Sequence, residues 1–185
     1  MLYTRKGDGG TTKTFGCDQR ISKSSVVAEA LGVLDEVNSF LGVVRAKSNK
    51  KVFKIENKEV NFSELTLEIQ KNLFIVQAEV AGSTLSITKE KIKEVEGIVD
   101  EIEKILPPIK SFFISGATET SALFDFARTL ARRAERRVVE AKEEKKVAVS
   151  DETLSYLNRL SSLLYALARI SSHVDGVEEI KPDYK

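Results

Sequence analysis

Apolar residues recur along most of this chain at spacings of three and four, the period of a helix with one buried face. Val27, Ala30, Leu31, Leu34, Val37, Leu41 and Val44 form the first such stripe and predict a helix over 25–46. The basic, irregular segment 47–62, KSNKKVFKIENKEVNF, reads as a loop or a short exposed hairpin with a solvated lysine face. A second helix is predicted from Ser63, whose hydroxyl suits an N-cap, to Leu85, with Leu65, Ile69, Leu73, Val76 and Val80 inward. Ile92, Val95, Val99 and Ile102 mark a third helix over 89–105, ended by Pro107 and Pro108. The stretch 112–122, FFISGATETSA, starts extended and turns at Gly116. A Ser or Thr there can cap a fourth helix, which runs to Glu144 through Leu123, Ala127, Leu130, Ala134 and Val138. Beyond the charged linker KEEKKVAVSDE, the seam of Leu154, Leu157, Leu160, Leu164 and Leu167 predicts a fifth helix over 151–173. Five long helices without an internal repeat predict an all-α five-helix bundle, one domain over 1–185 with a Gly/Thr/Lys-rich lead at 1–23 and the bundle at 24–175.

Composition narrows the chemistry. With 29 Lys plus Arg against 28 Asp plus Glu, the net charge of +1 argues against nucleic-acid binding through bulk positive charge. Cys17 and His173 are the only residues of their kinds, so a disulfide framework within the chain, a Cys/His zinc site and a Ser-His-Asp nucleophile are all disfavoured. No Glu-x-x-His pair for a di-iron bundle occurs, and no protein metal site is expected. No run of 18 apolar residues occurs, so no membrane span is expected. The polar start MLYTRKGDGGTTKTFG has no apolar signal core, which with the free cysteine makes the cytoplasm the expected compartment. Catalysis in such a chain rests on carboxylates, Arg, Lys, hydroxyls and amides.

Four segments stand out. In ARTLARRAERRV, 127–138, Arg128, Arg132 and Arg136 follow one another at i+4 on one helix face. Like charges so spaced destabilise a helix by about 0.2–0.5 kcal/mol per pair, and Glu135 offsets only part of it. Two readings fit: an anion with several charges held by planar guanidinium forks, or a solvated face whose stems cover apolar surface. The lead Tyr3-Thr4-Arg5-Lys6-Gly7-Asp8-Gly9-Gly10-Thr11-Thr12 has the glycines, hydroxyls and cations to wrap phosphates with backbone N–H groups, yet matches neither common nucleotide fingerprint; a flexible arm is the other reading. In EALGVLDEVNSFLG, 29–42, Asp35 and Asn38 interrupt the apolar stripe, and a buried acid there needs a partner such as Arg. In YLNRLSSLLYALAR, 156–169, Asn158 beside the leucine seam can give a directional amide bond.

Together and in this order, YTRKGDGGTT, EALGVLDEVNSFLG, GATETSALFDFARTLARRAERRV and YLNRLSSLLYALAR resemble the PduO-type ATP:cob(I)alamin adenosyltransferases over Tyr3 to Arg169. The resemblance implies a homotrimeric five-helix bundle with ATP bound at subunit interfaces. It makes Thr4, Arg5, Lys6, Gly7, Thr12 and Lys13 the ATP loop and Lys23 a further phosphate contact. Arg132, Arg133, Glu135, Arg136 and Asn158 complete the nucleotide site. Asp35 and Arg128 look like the family's salt-bridged pair across the interface, and Phe112 like the aromatic residue that closes the corrin pocket below cobalt. Phe113-Ile114-Ser115-Gly116-Ala117 stands where many members have a Pro-Gly-Gly turn, so the turn after Phe112 is altered here.

The activity implied is transfer of the 5′-deoxyadenosyl group of ATP to the cobalt of reduced cobalamin or another corrinoid, with Mg²⁺ present and triphosphate released. A reductase and an adenosylcobalamin-dependent enzyme are the implied partners. Reduced cobalt is then the nucleophile, which suits a chain with one His and one Cys. Two alternatives use the same residues: a non-catalytic nucleotide or polyphosphate-binding bundle, and a structural trimer whose Arg row pairs with acids such as Asp35.

Overall fold

The computed structural model describes residues 3–14, 19–56 and 58–184; Cys17 lies outside them. Five helices appear where the 3.6-residue periodicity places them: α1 Val26–Lys47, α2 Phe62–Val80, α3 Lys89–Ile105, α4 Glu119–Glu143 and α5 Asp151–Val174. Two antiparallel hairpins accompany them, β1 Thr11–Lys13 with β2 Arg20–Ser22, and β3 Val52–Ile55 with β4 Lys58–Asn61, so all-α describes the bundle and not every element. The 47–62 segment is thus a hairpin, and it is only partly exposed: Phe53 is buried and meets Phe62 at 4.8 Å between ring centroids.

Local chemistry sets the helix ends. Ser25, Thr118 and Ser150 cap α1, α4 and α5, each accepting from the backbone N–H three residues on. The expectation for α2 needs two corrections. Its cap is Asn61, whose side-chain oxygen accepts from the N–H groups of Ser63 and Glu64, not Ser63 itself. The helix also ends at Val80, short of Leu85, because Gly82 turns left-handed at φ +97 and Ser83 N–H closes back on Ala78.

Helix α1 packs on α2 and α4, and α5 packs on α4 and α3, so α4 is sandwiched between α1 and α5. The fully buried Leu34, Leu41, Leu73, Phe124, Leu157 and Leu164 lie at the centre of the core. Ala127, Ala131, Ala134 and Ala141 are buried in the same layer, and their small side chains let the neighbouring helices approach α4 closely.

One buried carboxylate ties the bundle together. Glu79, near the end of α2, accepts from Ser150 N–H at 2.8 Å and from the Thr153 hydroxyl, joining α2 to the start of α5. Glu79→Ala strips two buried donors of their acceptor, and unfolding in urea is expected to show a loss of about 3 kcal/mol, within the range for orphaned buried polar groups. A loss under about 0.5 kcal/mol would mean that water replaces the carboxylate without cost.

Candidate functional site

The five arginines of α4 sort into two groups. Arg128 donates from Nε to Asp125 at 3.0 Å and lies over the Tyr165 ring, 5.6 Å from its centroid. Arg133 reaches Glu36 on α1, and Arg137 bonds Glu140 at 2.7 Å with Glu29 at 3.7 Å. Arg132 and Arg136 are exposed, and among the described residues neither has a carboxylate within ion-pair distance. The repulsion built into the i+4 row is therefore relieved at Arg128 and left standing at Arg132 and Arg136. Two guanidinium groups on one helix face, neither engaged in an ion pair among the described residues, can turn their planar forks to an anion.

Two depressions meet at this pair. The first, about 320 Å³, is polar and is lined by Arg132 and Arg136, by Glu135, Glu140 and Glu143, and by Asn158. Asn158 donates to Glu135 at 3.0 Å and accepts from Arg159 at 2.8 Å, while Arg159 bonds Glu96 at 2.9 Å. This chain of contacts orients the Asn158 amide and ties Glu135 to α5 in the depression it shares with Arg132 and Arg136. The second depression, about 520 Å³, is walled by Ile109, Phe112, Phe113 and Tyr165, with Arg128 and Arg132 along its edge. Arg132 lines both, so an occupant of one is within reach of an occupant of the other.

Phe112 is 79% exposed, an unusual position for a phenyl ring, and Ile109 and Ile114 beside it are also exposed. Burial pushes the Tyr165 phenol above its ordinary pKa, opposed by the positive charge of Arg169, so the groove wall stays neutral at physiological pH. Gly116 adopts φ +103, a left-handed conformation that favours glycine, and the chain bends at Ser115 beside it.

The described residues of the N-terminal lead, 3–14 and 19–23, are folded against one another. Arg20 on β2 fastens it, donating to the Thr11 hydroxyl and to the Thr11 carbonyl, both at 2.7 Å, and to the Lys6 carbonyl. Lys23 N–H bonds the Gly10 carbonyl at 2.9 Å, and the Lys23 ammonium lies so close to Gly7 that a Cβ there would sit 3.2 Å from Nζ. Arg5 and Gly10 take left-handed φ values of 58 and 75, which curl residues 4–10 back on themselves. Lys6, Gly7 and Lys23 are thus gathered at one place, with Thr12 and Lys13 on the adjoining strand. Arg20 was not among the expected residues; only the pairing of Lys13 with Arg20 across the hairpin brings it under the loop.

Asp35 corrects a sequence expectation. Within the chain it is exposed on α1, while Asn38 is buried with its side-chain oxygen unpartnered. Asp35 follows Leu34 by about 100° around the helix and passes off the buried face, whereas Asn38, a full turn after Leu34, stays on it. The acid therefore does not interrupt the core. Arg128 takes Asp125 as its partner inside the chain, and among the described residues it forms no ion pair with Asp35.

Among the described residues no group of three or more His, Cys, Asp or Glu side chains comes together as a metal site. No helix is long and apolar enough to cross a membrane.

The family model for cobalamin adenosyltransferases matches residues 2–171. The corrinoid adenosyltransferase PduO of Citrobacter freundii is 40% identical over 179 residues, 93% of this chain and 50% of that protein. The chain thus spans about half the length of this PduO relative. The corrinoid adenosyltransferase of Bacillus subtilis is 33% identical over 187 residues, covering 97% of this chain and 91% of that one. A solved structure of a PduO-type ATP:corrinoid adenosyltransferase variant from Lactobacillus reuteri, complexed with cobalamin and ATP, shares the fold with a TM-score of 0.85 at 24% identity, covering 100% of this chain and 97% of that one.

Proposed function

The chain belongs to the cobalamin adenosyltransferase family, and we propose that it transfers the 5′-deoxyadenosyl group of ATP to the cobalt of a reduced corrinoid. The observation that carries this reading is the joint at Arg132, where a polar depression suited to phosphates opens onto an aromatic groove suited to a corrin face.

The step balances without a protein nucleophile. The electron pair of cob(I) attacks C5′ of ATP, a cobalt–carbon bond forms, the C5′–O bond breaks, and its electrons leave on triphosphate. The chain's work is to bring C5′ against cobalt and to stabilise charge gathering on the leaving group. Arg132 and Arg136 face the triphosphate, with Glu135 and Asn158 fixing their spacing and contacting the nucleoside. Thr4, Arg5, Lys6, Gly7, Thr12, Lys13 and Lys23 form the other wall, where backbone N–H groups and ammonium groups cradle phosphate oxygens. Arg133, tied to Glu36, acts by anchoring α4 to α1.

In this reading the protein works as a homotrimer, with the N-terminal loop of one copy facing the Arg row of the next. Exposed Asp35 and half-buried Arg128 then pair across the contact, adding to the Arg128–Asp125 bond within the chain. Phe112 sits below the corrin ring, where its bulk displaces the lower axial ligand and leaves four-coordinate cob(II), which is more easily reduced. Mg²⁺, bound together with ATP, would offset part of the triphosphate charge beside Arg132 and Arg136. An electron-donating reductase supplies cob(I), an adenosylcobalamin-dependent enzyme takes the product, and the protein works in the cytoplasm.

Triphosphate release tests the chemistry. One triphosphate per adenosylcobalamin is expected from ATP and cob(I)alamin; orthophosphate or diphosphate as the first product would contradict attack at C5′. The hairpin gives a second expectation. Arg20→Ala should raise KM for ATP about tenfold, the loss of one charge-assisted anchor, with kcat within about threefold. An unchanged KM for ATP would remove the N-terminal loop from the nucleotide site.

The alternative is a non-catalytic nucleotide or polyphosphate sensor. The apolar groove beside the Arg pair disfavours it, because a sensor of phosphates has no use for an exposed phenyl ring. A sensor would show an ATP-dependent rise in melting temperature without any cobalt–carbon product.

A further inference from the structure

The segment that carries Phe112 is held from behind by the C-terminal end of the chain. Beyond α5 the chain turns at Gly176, φ +69, and returns along residues 107–114. Ile114 N–H donates to the Ile180 carbonyl at 2.8 Å. Arg169, on α5, is the centre of this contact. Its side chain is 6% exposed, pairs with Glu179 through Nε at 2.9 Å, donates from Nη2 to the Pro107 carbonyl at 3.2 Å, and lies over the Phe113 ring at 5.1 Å from the centroid.

A buried guanidinium is expensive to desolvate, and a folded chain keeps one only where its bonds are well satisfied. Arg169 spends its donors and its face on Pro107, Phe113 and Glu179, one residue group on either side of Phe112 and one on the C-terminal strap. Phe112 itself is 79% exposed, so its position depends on the anchored residues along its segment, Phe113 beside it and Pro107 five positions before it.

We propose that Arg169 and Glu179 are a positioning pair for the corrin face of the site, fixing the height of Phe112 above the groove through Pro107 and Phe113. The proposal rests on the reading of Phe112 given above and adds residues that line neither of the two depressions. Arg169 touches neither reacting atom; it acts through the segment it holds. The nucleotide wall of the site, on the Arg132–Arg136 side, has no bond to this cluster among the described residues, so the two substrates should feel its loss unequally.

The test measures both substrates in Glu179→Ala and Glu179→Gln, with wild type alongside. In Glu179→Ala the KM for the corrinoid should rise about tenfold and the four-coordinate cob(II) spectral signature should fall severalfold, while KM for ATP stays within about twofold. Glu179→Gln keeps an acceptor for Arg169 and should recover part of both effects, to about threefold. Should the alanine variant fail to fold, the glutamine variant decides on the same readouts. Corrinoid KM and cob(II) signature both at wild-type values would overturn the proposal. So would equal rises in both KM values, which mark general loosening instead of positioning. A wild-type protein that forms no adenosylcobalamin would instead overturn the reading of the site on which the pair depends.

Discussion

Arg132→Ala is expected to lower kcat/KM for adenosyl transfer by about a thousandfold, the upper range for deleting one preorganised group that stabilises a leaving anion. The size follows from position. Arg132 is the residue that lines both depressions, it has no carboxylate partner among the described residues, and α4 holds its backbone rigidly between α1 and α5. Because charge on the triphosphate grows as the C5′–O bond breaks, most of the loss should appear in kcat, with a smaller rise in KM for ATP. Folding does not use the side chain, so the melting temperature should stay within about 2 °C of wild type, as for surface substitutions elsewhere. Arg132→Lys should recover only part of the activity, since an ammonium is a point charge without the planar fork. Full activity in the alanine variant would remove the Arg row from the reaction.

Phe112→Ala should have an effect of similar size, on a different step. Starting from cob(II)alamin and a reductant, the rate should fall by about two orders of magnitude or more, the scale on which misplacing a group at a reacting centre acts. Starting from chemically prepared cob(I)alamin, the loss should be far smaller, because the ring's task is to displace the lower ligand before reduction. KM for ATP should not change. The ring is 79% exposed, so its removal leaves no cavity in the bundle and should not lower stability. A variant whose four-coordinate cob(II) signature matches wild type would place the corrin elsewhere on the molecule.

The helices were legible because burial of one face imposes a period that survives in the sequence; α3 ends where Pro107 and Pro108 require it, and α5 follows its leucine seam. The misreadings lie at termini, where one residue decides. Gly82 stops α2 early through a left-handed φ that periodicity does not register, and Asn61 takes the cap because its side chain, not that of Ser63, reaches the first free N–H groups. Asp35 shows a related limit: a step of three positions from an acid to a buried Asn places the two about 60° apart, enough to separate core from solvent.

The candidate site was legible as residue types and not as partners. The row Arg128, Arg132, Arg136 was visible, yet only the fold tells that Asp125 and Tyr165 satisfy the first and leave the other two open. Arg20, Glu79 and Arg169 were missed because each acts across long sequence separations: Arg20 on Lys6, Glu79 on Thr153, Arg169 on Pro107. Single charged residues in strands and helices carry no periodic signal, so contacts of this kind emerge only when the chain is folded.

The central claim is that cobalt takes the C5′ carbon of ATP at this site, and a single-turnover reaction tests it most directly. The protein is mixed with ATP carbon-labelled at C5′ and chemically reduced cob(I)alamin, and the products are resolved by mass and by magnetic resonance. The account predicts the label on the carbon bound to cobalt, with an equal amount of triphosphate. ATP that raises the melting temperature yet keeps its labelled carbon, with no cobalt–carbon bond formed, would contradict it.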